Sequence, residues 1–268
     1  MRKILPFLAC CSLVLFFSVA CTAKQPYQQY LRAYQQLWKS DSFVVERNSS
    51  LIVSDNIQGV REEDSLSTEE TYWLTRDAAG EMFIANIYAV ADMPVKVNQY
   101  YRNGQLFSQN MTRPEENYRC RRTDAFARAI TLEGIIDFPK DVIARQGAED
   151  NAEGRLLTFE MDSKKYYEYR FPPASNDGYR YGEFSSFREP PLYTVLLDQQ
   201  GRIIRFTGNF CTVNSDSTSF TWDQSYSIII SQYGEVEVDF PELNEEDYPE
   251  LYQEPSVTDK LKWTENNK

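Results

Sequence analysis

The chain is predicted to fold as a single α+β domain, mainly antiparallel β. Three observations carry that expectation. Aromatic residues are abundant, with 18 Tyr and 16 Phe among 268 residues, and flat aromatic side chains favour pleated surfaces. Apolar residues alternate with polar ones from Ser42 onward, the period of a half-buried strand. Two shorter segments instead repeat their apolar residues every three to four positions, the period of amphipathic helices.

The first segment is a leader. Arg2 and Lys3 precede an uncharged apolar run that ends in small residues, the pattern of a signal peptide over 1–20. A retained transmembrane anchor fits less well, because the run is short for a span and contains Pro6. Ser18-Val19-Ala20-Cys21 resembles the bacterial lipobox, with Ser18 where that motif usually has Leu. The resemblance implies that Cys21 is lipidated and becomes the mature N-terminus, and two acyl chains anchor durably.

Residues 24–39 form the first predicted helix, with Tyr27, Leu31, Tyr34 and Trp38 along one face. Strands follow at 43–53, at 58–66 and 71–74 as one region with its acidic residues facing water, and at 81–88, 95–101 and 106–109. Asn103-Gly104, between two aromatic-rich stretches, is the strongest hairpin signal, since both residues tolerate positive φ. Thr123-Asp124 caps a second helix over 125–136, with Phe126, Ile130, Ile135 and Ile136 apolar, and 140–146 reads as a further short helix. Residues 155–161 alternate as a strand, and 166–171 read as its continuation. The stretch 172–191 is rich in aromatics and breakers and yields no element. A hairpin turning at Asp198-Gln199-Gln200-Gly201 and strands at 220–233 and 235–240 complete the sheet. The domain therefore spans 21–241, and 242–268 reads as an acidic, mobile tail.

Composition excludes whole classes of function. The formal charge is -12, which repels polyphosphate, and only Arg119, Arg121 and Arg122 cluster, so nucleic acid is not an expected partner. Anionic lipid would repel the body too, so membrane residence requires the anchor. There is no histidine, which removes Ser-His-Asp, Cys-His and histidine-zinc chemistry together. No catalytic or metal-ligating set and no cofactor are expected. The acidic clusters Glu62-Glu63-Asp64, Glu69-Glu70 and Glu245-Glu246-Asp247 lack the spacing of a calcium loop. Asp223 with Glu183 is the pair considered for glycoside hydrolysis, and Lys164-Lys165 reads as the guard of a strand edge. In the body Cys120 and Cys211 remain. A disulfide between them would close a loop of roughly 90 residues and stabilise by about 4 kcal/mol on chain-entropy grounds. Two buried thiols are the alternative, because pairing is not legible in sequence.

The order of parts, with Gln99-Tyr100-Tyr101-Arg102-Asn103-Gly104, Leu196-Leu197-Asp198-Gln199-Gln200-Gly201-Arg202-Ile203 and Glu237-Val238-Asp239-Phe240-Pro241, resembles the LolA/LppX/LprG-like lipoproteins of bacterial envelopes, the Gram-positive branch in particular. The resemblance covers most of the mature chain and rests on turn and strand motifs. It implies a half-barrel sheet curled around helices, with an apolar cavity that in some members carries acyl chains, and it brings no catalytic residue. The residues lead to a similar expectation, since a bent antiparallel sheet must cover its concave face and two amphipathic helices are available. Phe83, Tyr88, Tyr100, Phe126, Ile130, Phe159, Tyr167, Phe206 and Tyr226 are the candidates to line a cavity, against the simpler reading that they are core. The expected function is a non-enzymatic, lipid-anchored module on the outer face of the cytoplasmic membrane that binds an apolar or amphiphilic ligand. The alternative is a solid-cored structural or regulatory partner of another envelope protein.

Overall fold

The structure is a computed structural model that describes residues 25–57, 60–76, 82–90, 96–102, 104–121, 136–170, 184–214, 221–237 and 241–250. The leader, Cys21, Phe126 and Ile130 lie outside these residues.

Twelve strands form one sheet: β1 Ser42–Ile57, β2 Val60–Arg76, β3 Met82–Val90, β4 Lys96–Arg102, β5 Gln105–Asn110, β6 Tyr118–Arg121, β7 Ile143–Asp150, β8 Arg155–Met161, β9 Phe184–Phe187, β10 Leu192–Leu197, β11 Ile203–Asn214 and β12 Thr221–Ser231. Their order is β6-β5-β4-β3-β2-β1-β12-β11-β10-β8-β7, with β9 pairing the far end of β11. The strand ladders are antiparallel, and the sheet is curved and unclosed, ending at β6 and β7. With helices α1 (Pro26–Leu37) and α2 (Ser163–Arg170) this is the expected α+β half-barrel.

The long β1–β2 hairpin pairs Ser42 with Thr75 and continues without a register break to Ile57 with Val60. Both strands therefore keep one face inward along their whole length. Phe43, Val45, Arg47, Ser49, Leu51 and Val53 share the inner face of β1 with Tyr226, Ile228 and Ile230 of β12. The expected hairpin is realised between β4 and β5: Arg102 pairs Gln105 and Gly104 has φ 74°, while Asn103 lies outside the described residues.

Helix α1 starts at a proline, whose missing N–H costs nothing in the first turn. Its most buried residues are Tyr27, Tyr30, Ala33 and Leu37, a stripe rotated from the predicted one. Leu31, Tyr34 and Trp38 pack on its flank. Ala33 explains the rotation, because a small residue at the contact line lets the helix sit close to the sheet. Tyr30 stacks flat on Phe138 at 4.9 Å, meets Phe159 edge-on at 5.7 Å, and donates its hydroxyl to the Ile136 carbonyl. Tyr27 donates to the Phe138 carbonyl at 3.1 Å, and its own amide donates to Gln146 Oε1 at 2.9 Å. Of the predicted helix at 125–136, only Ile136 is described; it is helical and fully buried.

Three local expectations are corrected. Residues 140–146 are a 3-10 turn, Lys140–Val142, leading into edge strand β7. All but the first residue of that strand are exposed, so no alternation marks it. Residues 166–170 belong to helix α2, because Asp162 caps it: its carboxylate accepts from Lys165 N at 3.0 Å and its carbonyl from Tyr166 N at 2.8 Å. Residues 235–237 are not a strand; they fold back on β1, with Val236 N donating to Ser42 Oγ at 3.0 Å. Beyond Pro241, the expected mobile tail is docked as far as residue 250. Arg119 N donates to the Pro249 carbonyl at 3.1 Å, Arg119 pairs with Glu245, and Tyr248 packs edge-on to Phe107 at 5.4 Å. This segment covers the β6 edge of the sheet.

Candidate ligand site on the inner face

The inner face divides along the strands into a packed part and an open part. The packed part lies under α1. Phe159 meets Phe138 at 5.4 Å, Phe206 stacks on Tyr226 at 6.1 Å, and Tyr193 lies between Phe138 and Tyr226. Phe159, Phe206 and Tyr193 retain no accessible surface. Gly208 makes this possible: a Cβ there would stand 2.4 Å from Tyr193 and 2.8 Å from Tyr226, so only hydrogen lets both rings cross β11.

A polar band follows. Arg47 donates Nη2 to both carboxylate oxygens of Glu70 at 2.5 Å, and Glu70 also accepts from the Tyr72 hydroxyl. The carboxylate side chain is only 5% exposed and its guanidinium partner 18%, so each charge holds the other in a largely desolvated place. One row further, Ser49 and Thr68 share a hydrogen bond of 2.5 Å in register with Tyr226. Tyr166 of α2 and Tyr193 share another of 2.5 Å. Burial first, then neighbouring phenols, pushes the hydroxyls of Tyr166 and Tyr226 far above the ordinary tyrosine range. These groups are fixed hydrogen-bonding hydroxyls at any physiological pH, not acids.

Beyond that band the inward parity continues through Leu51 and Val53 on β1, opposite Leu66 and then Asp64 on β2, with Gln224 of β12 beside Leu51. Leu51 and Val53 are half-buried and Leu66 is 39% exposed. An apolar stretch that faces inward yet remains uncovered, bordered by a buried polar band, is the shape of a site for an amphiphile.

Of the nine expected cavity residues, Phe126 and Ile130 lie outside the described residues, and the side chains described do not converge. Phe159, Phe206 and Tyr226 are inner-face core. Phe83 and Tyr100 correct the expectation: the register pairs their neighbours Ile84 and Tyr101 across the inner face, so both point outward. There Arg102 lies over the Phe83 ring at 5.3 Å, and Tyr100 borders a groove of about 520 Å³ against Tyr248. Tyr167 sits on α2, half-buried and edge-on to Phe187 at 5.7 Å. Tyr88 pairs Glu70 and Val97 in register, with its side chain outside the described set. The site residues that sequence reasoning missed are Arg47, Ser49, Leu51, Leu66 and Glu70. Arg47 and Glu70 come together only when β1 and β2 meet in one register, whereas Glu69-Glu70 reads in sequence as an acidic cluster facing water.

The structure holds Cys120 and Cys211 as thiols, not as a disulfide. They sit on β6 and β11, which the order of the sheet separates by six intervening strands. Among the described residues no group of three or more Cys, Asp or Glu converges as a metal site. Glu183 lies outside the described residues. Asp223 borders an outer-face concavity of about 430 Å³ with Glu160 and Glu189. A second outer-face groove, about 520 Å³, crosses β2-β1-β12-β11-β10 and is walled by short side chains such as Ser50, Ser67, Thr207 and Ser225.

No protein-family model matches the sequence, and no curated protein sequence matches it. Among solved structures the chain is similar to the LolA superfamily protein NE2245 from Nitrosomonas europaea, with a TM-score of 0.28 and 10% identity over 81% of this chain and 96% of that one. It is also similar to a DUF1329 family protein from Desulfovibrio piger, with a TM-score of 0.27 and 12% identity over 78% of this chain and 91% of that one. A β-barrel-like protein of DUF1849 from Brucella abortus has a TM-score of 0.20 and 10% identity over 70% of this chain and 98% of that one. Likenesses this distant carry no functional weight; the site rests on strand register and side-chain contacts.

Proposed function

We propose that the chain is a non-enzymatic binding module that takes an apolar or amphiphilic ligand on the open part of its inner face. We place it, exported, on the outer face of the bacterial cytoplasmic membrane through lipid on Cys21. The observation that carries the ligand reading is the uncovered inward stretch of Leu51, Val53 and Leu66 beside the Arg47–Glu70 band. The anchor reading is supported by the leader, the Ala20-Cys21 junction and a body whose negative charge would not hold it to an anionic surface. The absence of histidine and the mutual pairing of the buried charges support a role without turnover.

The test is extraction of the full chain from bacterial membranes, followed by mass spectrometry of what organic solvent releases. A stoichiometric lipid in the wild type, lost in a Leu51→Asp, Leu66→Asp double variant that still folds, is the expected result. Absence of bound lipid from the wild type would sink the reading. Palmitate label lost in Cys21→Ser is expected for the anchor, and unchanged membrane retention of that variant would remove it.

One observation favours a second reading, a solid-cored partner of another envelope protein: Phe159, Phe206 and Tyr226 fill the interior instead of lining space. Crosslinking in cells that recovers one defined envelope protein, together with lipid-free wild type, would establish it.

A further inference from the structure

The sheet ends in two edges, and the chain treats them differently. At β6 the Arg119 N–H is taken up by the Pro249 carbonyl at 3.1 Å, so the segment 241–250 closes that edge. At β7 every residue from Ala144 to Asp150 is exposed, and among the described residues no group pairs with the backbone they turn outward. Which groups those are follows from the β7–β8 hairpin. Asn151 N donates to the Gly154 carbonyl at 2.8 Å and Gly154 N to the Asn151 carbonyl at 3.3 Å, and hydrogen-bonded and non-hydrogen-bonded pairs alternate from there. Asp150, Ala148 and Gln146 therefore aim N–H and C=O away from β8, and Glu149, Gly147 and Arg145 toward it. An open row of this kind is a template for another strand. Gly147, at its middle, has no role within the chain: a Cβ there would meet nothing within 4 Å, and its φ is not in the left-handed region. Glycine inside a strand weakens it, and what it allows in return is the close approach of another backbone.

We propose that β7 pairs with the β7 of a second copy of this chain, antiparallel about a two-fold axis at Gly147, so that two sheets become one. The inference is independent of the ligand reading. Charge selects the register. The outward groups of Gln146 and Ala148 must meet outward groups of the other copy, which leaves five arrangements, centred on Arg145, Gln146, Gly147, Ala148 or Glu149. Centres at Arg145 and Glu149 set like charges directly opposite each other. Centres at Gln146 and Ala148 leave Arg145 opposite Gly147 or Asn151, without a counter-charge. With Gly147 opposite Gly147, Arg145 of each copy faces Glu149 of the other, and the symmetry makes that pair twice. Both side chains stand on the outer face, in register with Glu160 and Leu156 of β8. Within the chain, among the described residues, Glu149 has no ion pair, and Arg145 reaches Glu160 only at 3.7 Å with 81% of its side chain exposed. On the inner face Gln146, whose side chain holds the Tyr27 amide, meets Ala148 of the other copy, which is small enough to leave the start of α1 in place. The bulge between Ile143 and Arg145 ends the regular edge, so the paired stretch is 145–149 on each copy.

The experiment is oxidative crosslinking of the full chain in bacterial membranes, read on a non-reducing gel against the wild type, which carries the same native thiols. Gly147→Cys is expected to give a disulfide-linked dimer, because opposed Cα atoms in a non-hydrogen-bonded pair stand about 4.5 Å apart, within the reach of a disulfide. Glu149→Cys should give no dimer above the wild type, since its two copies would lie about 13 Å apart along the strands. Sedimentation of the full chain in detergent supplies a second measurement without new thiols. Arg145→Glu and Glu149→Arg should each weaken the dimer about tenfold, as each turns both attractive pairs into like-charge pairs, and the two substitutions together should restore it. A wild type that sediments as a monomer at every concentration, with no Gly147→Cys dimer, would overturn the proposal and leave β7 as an edge guarded by its charges and bulge. A dimer from Glu149→Cys as strong as that from Gly147→Cys, or no recovery in the double variant, would overturn the register. Crosslinking of Gly147→Cys to a different protein in place of a second copy would overturn self-pairing and give the edge to another chain.

Discussion

Two stretches of one inner face, continuous in backbone and register, are held by different physics. Under α1, Tyr30, Phe138, Phe159, Tyr193 and Phe206 touch ring to ring and keep essentially no accessible surface. Along the hairpin the same parity of β1 passes from Phe43 and Val45 to Arg47 and Ser49, and then to the uncovered Leu51 and Val53. The first stretch is a core whose aromatic contacts define one arrangement. The second keeps apolar surface of Leu51, Val53 and Leu66 on the inward side, where folding stability gains little from it. Stability and binding are therefore separable along one strand.

Truncation is the most direct way to break the contrast. Phe159→Ala should cost about 3–5 kcal/mol in denaturant unfolding, because the ring is fully enclosed and the aromatic contacts around it cannot close the space. Leu51→Ala, on the same face but half-buried, should cost only about 1 kcal/mol. Equal losses would mean that the open stretch is core. Glu70→Gln should fall between them, near 3 kcal/mol, since it leaves Arg47 largely desolvated without its counter-charge. Gly208→Ala should lose about 1–3 kcal/mol, as a methyl group would press on the Tyr193 and Tyr226 rings. A melting temperature unchanged in Gly208→Ala would show that those rings do not cross the strand.

How much of this was legible in sequence follows the same division. The central strands, the β4–β5 and β10–β11 turns and the first helix were readable because alternation, Asn-Gly, Asp-x-x-Gly and a 3.6-residue period each have one structural solution. Edge strand β7 was not, since its exposed residues carry no pattern and its partner β8 decides it. Helix α2 was misread because Tyr166 and Tyr167 favour strands locally, and the cap at Asp162 outweighed them. The candidate site failed differently. Aromatic type alone selected Phe83 and Tyr100, which the register turns outward. The pairing of Arg47 with Glu70 depends on two strands meeting in one register, which spacing within either strand does not contain. Docking of residues 241–250 was hidden for the same reason, as its contacts with Arg119 and Phe107 are long-range.

The smallest expected effect tests the packed part at its rim, in the β10–β11 turn. The Asp198 carboxylate accepts from Gln200 N at 2.8 Å, Arg202 N at 2.9 Å and Arg202 Nε at 2.7 Å. Partial burial raises its pKa, but the hydrogen bonds and charge of Arg202 outweigh that and hold it below the ordinary carboxylate value. A folded-state pKa below the unfolded one means that the native state binds its proton less readily. Its stabilisation is therefore present above the unfolded value, about 4, and is lost as pH falls through the folded one. Asp198→Asn should accordingly cost less than about 1 kcal/mol at pH 7, and the gap between variant and wild-type melting temperatures should shrink below about pH 4. Lipid recovered with the protein should be unaffected, because the turn lies at the opposite end of β11 from the row of Leu51. A pH-independent gap would place the contribution of Asp198 in turn geometry instead of charge, and a change in the lipid recovered would join the two stretches into one cooperative unit.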